Sequence, residues 1–155
     1  MATRRIPNRK HSDHLRQVAE VKTTFPGLER SFGRDKAVTW EGDLQPTPDS
    51  PRYRLRVEYH LGGPPRVVVL SPPLRPGAPH LYDDGSLCLY WPGEWLWRTS
   101  DKSIAKTVIP WAAFWLFYYE LWSVTGEWLG PSSHAPSPKS PEVKVSDNGA
   151  AEAES

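Results

Sequence analysis

Cysteine is nearly absent from this chain: Cys88 is the only one among 155 residues. A single thiol excludes an internal disulfide framework and fits a reducing, cytoplasmic setting. A charge excess of either sign is missing too, with a net charge of +1. The composition therefore makes no general case for binding nucleic acid or an acidic membrane surface. The first residues, Met1-Ala2-Thr3-Arg4-Arg5-Ile6-Pro7, contain none of the apolar stretch a secretory signal needs. Nor is there an apolar run of the about 20 residues a membrane span requires. The nearest candidate, residues 111–122, is shorter, includes Glu120 and follows Lys106. No nucleotide-binding signature occurs, so the chain has no means of activating a substrate for itself.

Tryptophan is what the chain has in excess, with eight. That number requires a heavily aromatic core or an exposed aromatic partner surface. The length suits one domain with one core. Four basic residues among the first ten mark residues 1–12 as a flexible basic arm. The domain then spans residues 13–130. From Pro131 onward Pro, Ser, Ala, Lys and Glu dominate and no aromatic occurs, so residues 131–155 read as a disordered tail.

Within the domain, a helix is expected from about Ser12, which can act as its cap with Asp13 in the first turn. Leu15, Val18, Ala19 and Lys22 mark the face that would pack, and Phe25-Pro26-Gly27 ends the helix. Strand candidates follow. The first covers residues 37–42. In the second, Tyr53, Leu55, Val57 and Tyr59 alternate with Arg52, Arg54, Arg56, Glu58 and His60, a strict period of two with one polar face. Turn residues 61–64 lead to a third, residues 66–70, rich in valine. Helical spacing returns late. Ser100 or Asp101 can cap a helix containing Ile104, Ala105, Val108 and Ile109, and Pro110 must break or restart it. The second helix carries Trp111, Trp115, Leu116, Tyr119 and Trp122 on one broad face, with Phe114, Phe117, Tyr118 and Leu121 off it. Such a helix is chiefly core, with a flank left for a partner or a second copy. Gly126 is its stop. The fold class is α+β: an N-terminal helix, an antiparallel meander of three or four strands, a long loop and C-terminal helices.

The loop, residues 71–97, is too long to be an idle connection in a compact domain. Its prolines and aromatics argue against disorder, and it holds the only cysteine. Asp84-Gly85 is a turn signal. Leu87 and Leu89 flank Cys88, an arrangement that anchors the neighbours in a core and turns the thiol toward a groove. Cys88 is thus a candidate nucleophile, against the plainer reading of a small buried hydrophobe. A cysteine hydrolase would use His80 or His60 as base, but no oxyanion element or orienting third residue is recognisable. His80, Asp83 and Cys88 could be imagined around a metal; one short cluster of mixed ligands does not form a usual ligand set.

The segment Pro79-His80-Leu81-Tyr82-Asp83-Asp84-Gly85-Ser86-Leu87-Cys88-Leu89 resembles the active-site segment of ubiquitin-conjugating enzymes, where His-Pro-Asn leads through a turn to Gly-x-Ile/Val-Cys-Leu. Gly85-Ser86-Leu87-Cys88-Leu89 matches the end of that pattern, and Ala78-Pro79-His80 falls on His-Pro-Asn with only the proline kept. Pro64-Pro65-Arg66-Val67-Val68-Val69-Leu70-Ser71-Pro72 resembles the Pro-Pro-x-Val strand that enters the site. The likeness covers residues 13–130 and is strongest over 64–128. With its Trp- and Tyr-rich helix, the chain resembles the compact bacterial members, several of which accompany a cGAS-like nucleotidyltransferase in CBASS anti-phage systems. The resemblance implies the ubiquitin-conjugating fold and a thioester carried on Cys88. It places His80 where the family's Asn serves the oxyanion, and leaves Asp83 and Asp84 to orient a lysine acceptor. It implies a protein partner that supplies a C-terminal carboxyl, a cGAS-like nucleotidyltransferase or a ubiquitin-like protein, together with an activating enzyme, and it calls for no cofactor and no metal. The rival is a non-catalytic binding module of the same fold, but such modules normally lack a cysteine at this place.

Overall fold

Alternation in the sequence becomes a sheet with one wet and one dry face. The computed structural model describes residues 9–33, 37–60, 63–89, 97–98 and 102–131. Four strands, β1 (Glu29–Phe32), β2 (Val38–Leu44), β3 (Tyr53–Tyr59) and β4 (Arg66–Ser71), pair antiparallel in chain order. On β3 the period of two holds throughout: Tyr53, Leu55, Val57 and Tyr59 are buried and the residues between them only half-buried. The polar face is laced rather than merely wet. Glu41 lies opposite Arg56 in the β2–β3 register, and Arg56 Nε donates to its carboxylate at 2.7 Å. Glu58 lies opposite Arg66, bonded at 2.9 Å. These half-exposed pairs tune register more than stability. β1 is exposed at all four positions, so no periodicity marks it. It completes the meander beyond the three strands legible in the pattern.

The dry face is covered by two helices. Helix α1 (Arg9–Thr24) begins three residues before Ser12, so Ser12 lies inside it and is not its cap. Residues 1–8 of the expected arm lie outside the described residues. The packing face also differs from expectation. Leu15 is 51% exposed and Ala19 and Lys22 face solvent, whereas Gln17 and Val21 are fully buried. Polar bonding turns the helix. Gln17 Nε2 donates to the Lys102 carbonyl at 2.6 Å, and its Oε1 accepts from the Ile104 amide at 2.9 Å. A glutamine satisfied at both ends can be buried at little cost, and His14 stacks on Tyr59 beside it at 5.4 Å.

The C-terminal helix opens with a wide turn. Ser103 caps it, its hydroxyl accepting from the Lys106 amide; Ser100 and Asp101, the expected caps, lie outside the described residues. Residues Ile104–Val108 form a π-helical turn, in which the Ile109 amide donates to the Ile104 carbonyl. It runs straight into α2 (Ile109–Thr125), with Pro110 in the first turn. Proline has no amide to give to the preceding turn, and the chain meets that gap with wider bonding rather than a break. Gly126, in the left-handed region at φ 78°, donates to the Trp122 carbonyl and stops α2.

One core joins these layers: Trp40 of β2, Tyr53 to Tyr59 of β3, Val67 of β4, Val21 of α1, Ile104 and Val108 of the π-turn, and Ala112, Trp115, Leu116 and Tyr119 of α2. This is the α+β architecture that the resemblance implies. Among the described residues, no helix is long and apolar enough to cross a membrane.

Candidate active site

Cys88 sits on the outgoing arm of a small hairpin between β4 and the π-turn. The hairpin is built by local chemistry. The Gly85 amide donates to the Tyr82 carbonyl at 2.9 Å, closing a turn over Asp83 and Asp84, and the Tyr82 amide donates to the Ser86 carbonyl at 2.9 Å. Leu81 and Leu87 form the bridge between the arms. Gly85 has φ 82°, the left-handed position that follows a turn of this length and that glycine fills without strain. Asp84 locks the corner: its Oδ1 accepts from the Ser86 amide at 2.9 Å and from the Ser86 hydroxyl. Its other oxygen accepts from Arg66 at 2.8 Å. The two bonds from Ser86, first its hydroxyl and then its amide, together with the Arg66 guanidinium, hold this carboxyl below the usual aspartate range.

The outgoing arm is fastened on both sides. The Leu87 amide donates to the Val67 carbonyl of β4 at 2.8 Å, and the Cys88 amide donates to the His80 carbonyl at 2.9 Å. Leu87 is buried and Leu89 packs on the core. The flanking leucines therefore anchor, and Cys88 between them is half-buried.

His80 lies one position out from the Leu81–Leu87 bridge, opposite Cys88. Its backbone has φ 56°, a left-handed conformation uncommon outside glycine and enriched at sites where surroundings over-determine the chain. Three contacts hold it there. Its carbonyl accepts from Cys88 and also from the Trp115 indole N–H of α2 at 3.1 Å, and its ring lies against Trp128, centroids 4.8 Å apart. Trp128 packs in turn on Trp115 at 5.6 Å. The approach to the hairpin is tied to α2 as well: the Arg75 amide donates to the Tyr119 hydroxyl at 2.8 Å and its guanidinium to the Ser123 carbonyl at 2.9 Å.

Beside the thiol, α2 and the segment after it enclose a groove of about 420 Å³. It is lined by Cys88 and Leu89, by Trp111, Phe114, Trp115 and Tyr118 of α2, and by Trp128 and Pro131 beyond it. The broad face expected of α2 is correct. Trp115, Leu116 and Tyr119 are buried, while Phe114 is 62% exposed.

The structure thus brings His80, Asp83, Asp84 and Cys88 onto one hairpin. Asp83 is exposed at the turn, whereas Asp84 is engaged in holding that turn together. His60, the other base considered, is the residue just past the end of β3. Among the described residues no three His, Cys, Asp or Glu side chains are placed to hold a metal ion. Trp91 and Trp95 lie outside the described residues. Sequence reasoning missed Arg66, Ser86 and Trp128. An Asp two residues before a Ser is a signal for the Ser86 bond, but nothing local connects Arg66 or Trp128 to the site.

No curated protein matches the chain. A family model described as the type II CBASS E2 protein matches residues 17–135, a stretch that holds the sheet, the cysteine hairpin and α2. With that match over most of its length, the chain belongs to the type II CBASS E2 family, the ubiquitin-conjugating-like proteins of CBASS defence.

Proposed function

We propose that Cys88 carries the C-terminal carboxyl of a partner protein as a thioester and passes it to a nucleophile, in the first instance an amine. The observation that supports this most is a half-buried cysteine on a hydrogen-bonded hairpin that lines a groove, in a chain of the type II CBASS E2 family. A thiolate is the working nucleophile. Because the donor arrives as an activated ester, loading asks little of the site: the C–S bond to Cys88 forms as the donor's thiol or nucleotide leaves. Discharge asks more, since the amine must lose a proton and the tetrahedral oxyanion needs a hydrogen bond. His80 is the residue proposed for that step. Asp83, exposed on the turn, would attract a lysine acceptor, with Asp84 shaping the turn that presents it. The donor would be a cGAS-like nucleotidyltransferase or a ubiquitin-like protein, charged by an activating enzyme in the cytoplasm, and the exposed flank of α2 would be the place for a partner or a second copy.

The test mixes the protein with the activated partner and looks for an adduct that thiol reductant cleaves. Cys88→Ser should give a reductant-resistant ester or no adduct. His80→Ala should load normally and discharge about 10- to 1,000-fold more slowly. Full anti-phage protection from a Cys88→Ala protein would refute catalysis and leave the binding-module reading in its place.

A further inference from the structure

His80 is held at both ends by one aromatic cluster. Its carbonyl accepts from the Cys88 amide and from the Trp115 indole N–H, and any residue supplies a carbonyl. Glycine would adopt its φ of 56° with less strain. What histidine adds at this position is its ring, which lies 4.8 Å from the Trp128 ring and is tilted from it by 49°. Trp128 belongs to no helix or strand. It is carried by a short strap, residues 126–131, that leaves α2 at the left-handed Gly126. The strap is fitted closely. The Trp128 ring packs on Trp115 at 5.6 Å and on Tyr118 at 6.1 Å, and its Nε1 donates to the Pro131 carbonyl at 3.2 Å. Gly130 lies so near Tyr118 that a Cβ on it would stand 2.5 Å from the ring. His80 and Trp128 are both half-buried, so their contact fills little of the core and chiefly fixes a side-chain direction.

We propose that Trp128 is a positioning residue for discharge: it directs the His80 ring so that its hydrogen bond reaches the acyl carbonyl on Cys88, and it acts through His80 alone. The inference rests on the thioester reading and on the part given there to His80. In discharge the acceptor nitrogen bonds to the acyl carbon, the C–S bond breaks with its electron pair left on Cys88, and the proton shed by nitrogen ends on that sulfur. Between those events the carbonyl oxygen carries negative charge. A donor misplaced there by about 1 Å costs about a hundredfold in rate. Trp128 contributes only the direction of that donor.

The experiment separates the two half-reactions. The full chain is loaded from the acetyl-glycyl-glycine thioester of a small thiol, freed of excess donor and mixed with free lysine. Formation and loss of the adduct are followed by intact mass. Because discharge starts from protein already loaded, its rate is independent of donor binding. Trp128→Ala should load at the native rate and discharge about 10- to 100-fold more slowly. Trp128→Phe keeps a ring against His80 and should discharge at close to the native rate. Gly130→Ala removes no ring, yet should slow discharge in the same direction by lifting the strap off Tyr118. In a His80→Ala protein, Trp128→Ala should cost nothing further, since residues that act as one unit do not add. Native discharge from both Trp128→Ala and Gly130→Ala would overturn the positioning role and leave the thioester reading standing. So would a loss in loading as large as that in discharge, or an additive loss in the double variant. His80→Ala discharging at the native rate would overturn the part given to His80, and that of Trp128 with it. No adduct on the native protein, or an unchanged adduct on Cys88→Ala, would overturn the thioester reading itself.

Discussion

The two long helices are held in the fold by opposite means. α1 is fastened by polar atoms to the start of the C-terminal helix: Gln17 to the Lys102 carbonyl and the Ile104 amide, and Glu20 to the Ser103 hydroxyl. α2 is fastened by bulk. Ala112, Trp115, Leu116 and Tyr119 are buried, and its one charge, Glu120, is turned inward to accept from Ser50 at 2.9 Å and from Tyr53 at 3.1 Å. A helix held by two or three directional bonds has one rotation and little apolar surface to spare. A helix apolar nearly all round can bury one face and still present another. That surplus is what α2 contributes to the groove beside Cys88.

The contrast breaks most readily at α2. Leu116 is fully buried, and Leu116→Ala should cost about 2–5 kcal/mol in urea unfolding; a loss under about 1 kcal/mol would mean that bulk is not what holds α2. Gln17→Leu comes next. It leaves the Ile104 amide without its acceptor at a buried position and should cost about 1–3 kcal/mol, although leucine is the more hydrophobic residue. A stabilised Gln17→Leu protein would show that α1 is held by burial after all.

Acid and alkali should separate the helices with smaller effects. Burial pushes the Glu20 carboxyl up, but the Ser103 hydrogen bond and Arg16's bond and charge outweigh it, so it titrates below its ordinary 4.5. A depressed carboxyl stabilises the fold above that value, and the contribution is lost as pH falls through the folded one. The Tyr53 hydroxyl is the reverse case. Burial first, then the charge and hydrogen bond of Glu120, push it well above its ordinary 10.0. Its contribution is complete below pH 10 and is lost as pH rises beyond it. Urea midpoints across pH should therefore show Glu20→Gln flattening the acid limb and Tyr53→Phe the alkaline limb; the opposite assignment would contradict the comparison. The smallest effect is expected at Phe114. Phe114→Ser should change stability by no more than about 0.5 kcal/mol in urea unfolding, since Phe114 is mostly exposed.

Much of this is legible in the sequence. The alternation from Tyr53 to Tyr59, the Asp84-Gly85 corner, the broad face from Trp111 to Trp122 and the Gly126 stop are each written in a short window, and each appears as read. The α1 face was misread, because hydrophobicity pointed to Leu15 and Ala19 whereas hydrogen bonds to residues 102 and 104 draw Gln17 inward. β1 was missed since all four of its residues are exposed and carry no alternation. At the site, Cys88 stood out as a unique thiol between anchoring leucines. The ring behind His80 did not: nothing near Trp128 in the chain says that it folds back onto a residue almost fifty positions earlier.

The sequence alone determined whatever depends on backbone geometry over one or two turns. Period two makes a half-buried strand, period 3.6 a helical face, and glycine the left-handed corner, because those repeats follow from covalent structure and local sterics. Only the tertiary structure decided which polar atoms find partners across the fold. The rotation of α1, the doubly bonded His80 carbonyl, the Arg66–Asp84 lock and the aromatic groove at Cys88 all join segments distant in the chain. Such contacts form once packing has removed water from both partners, and no local pattern encodes that event.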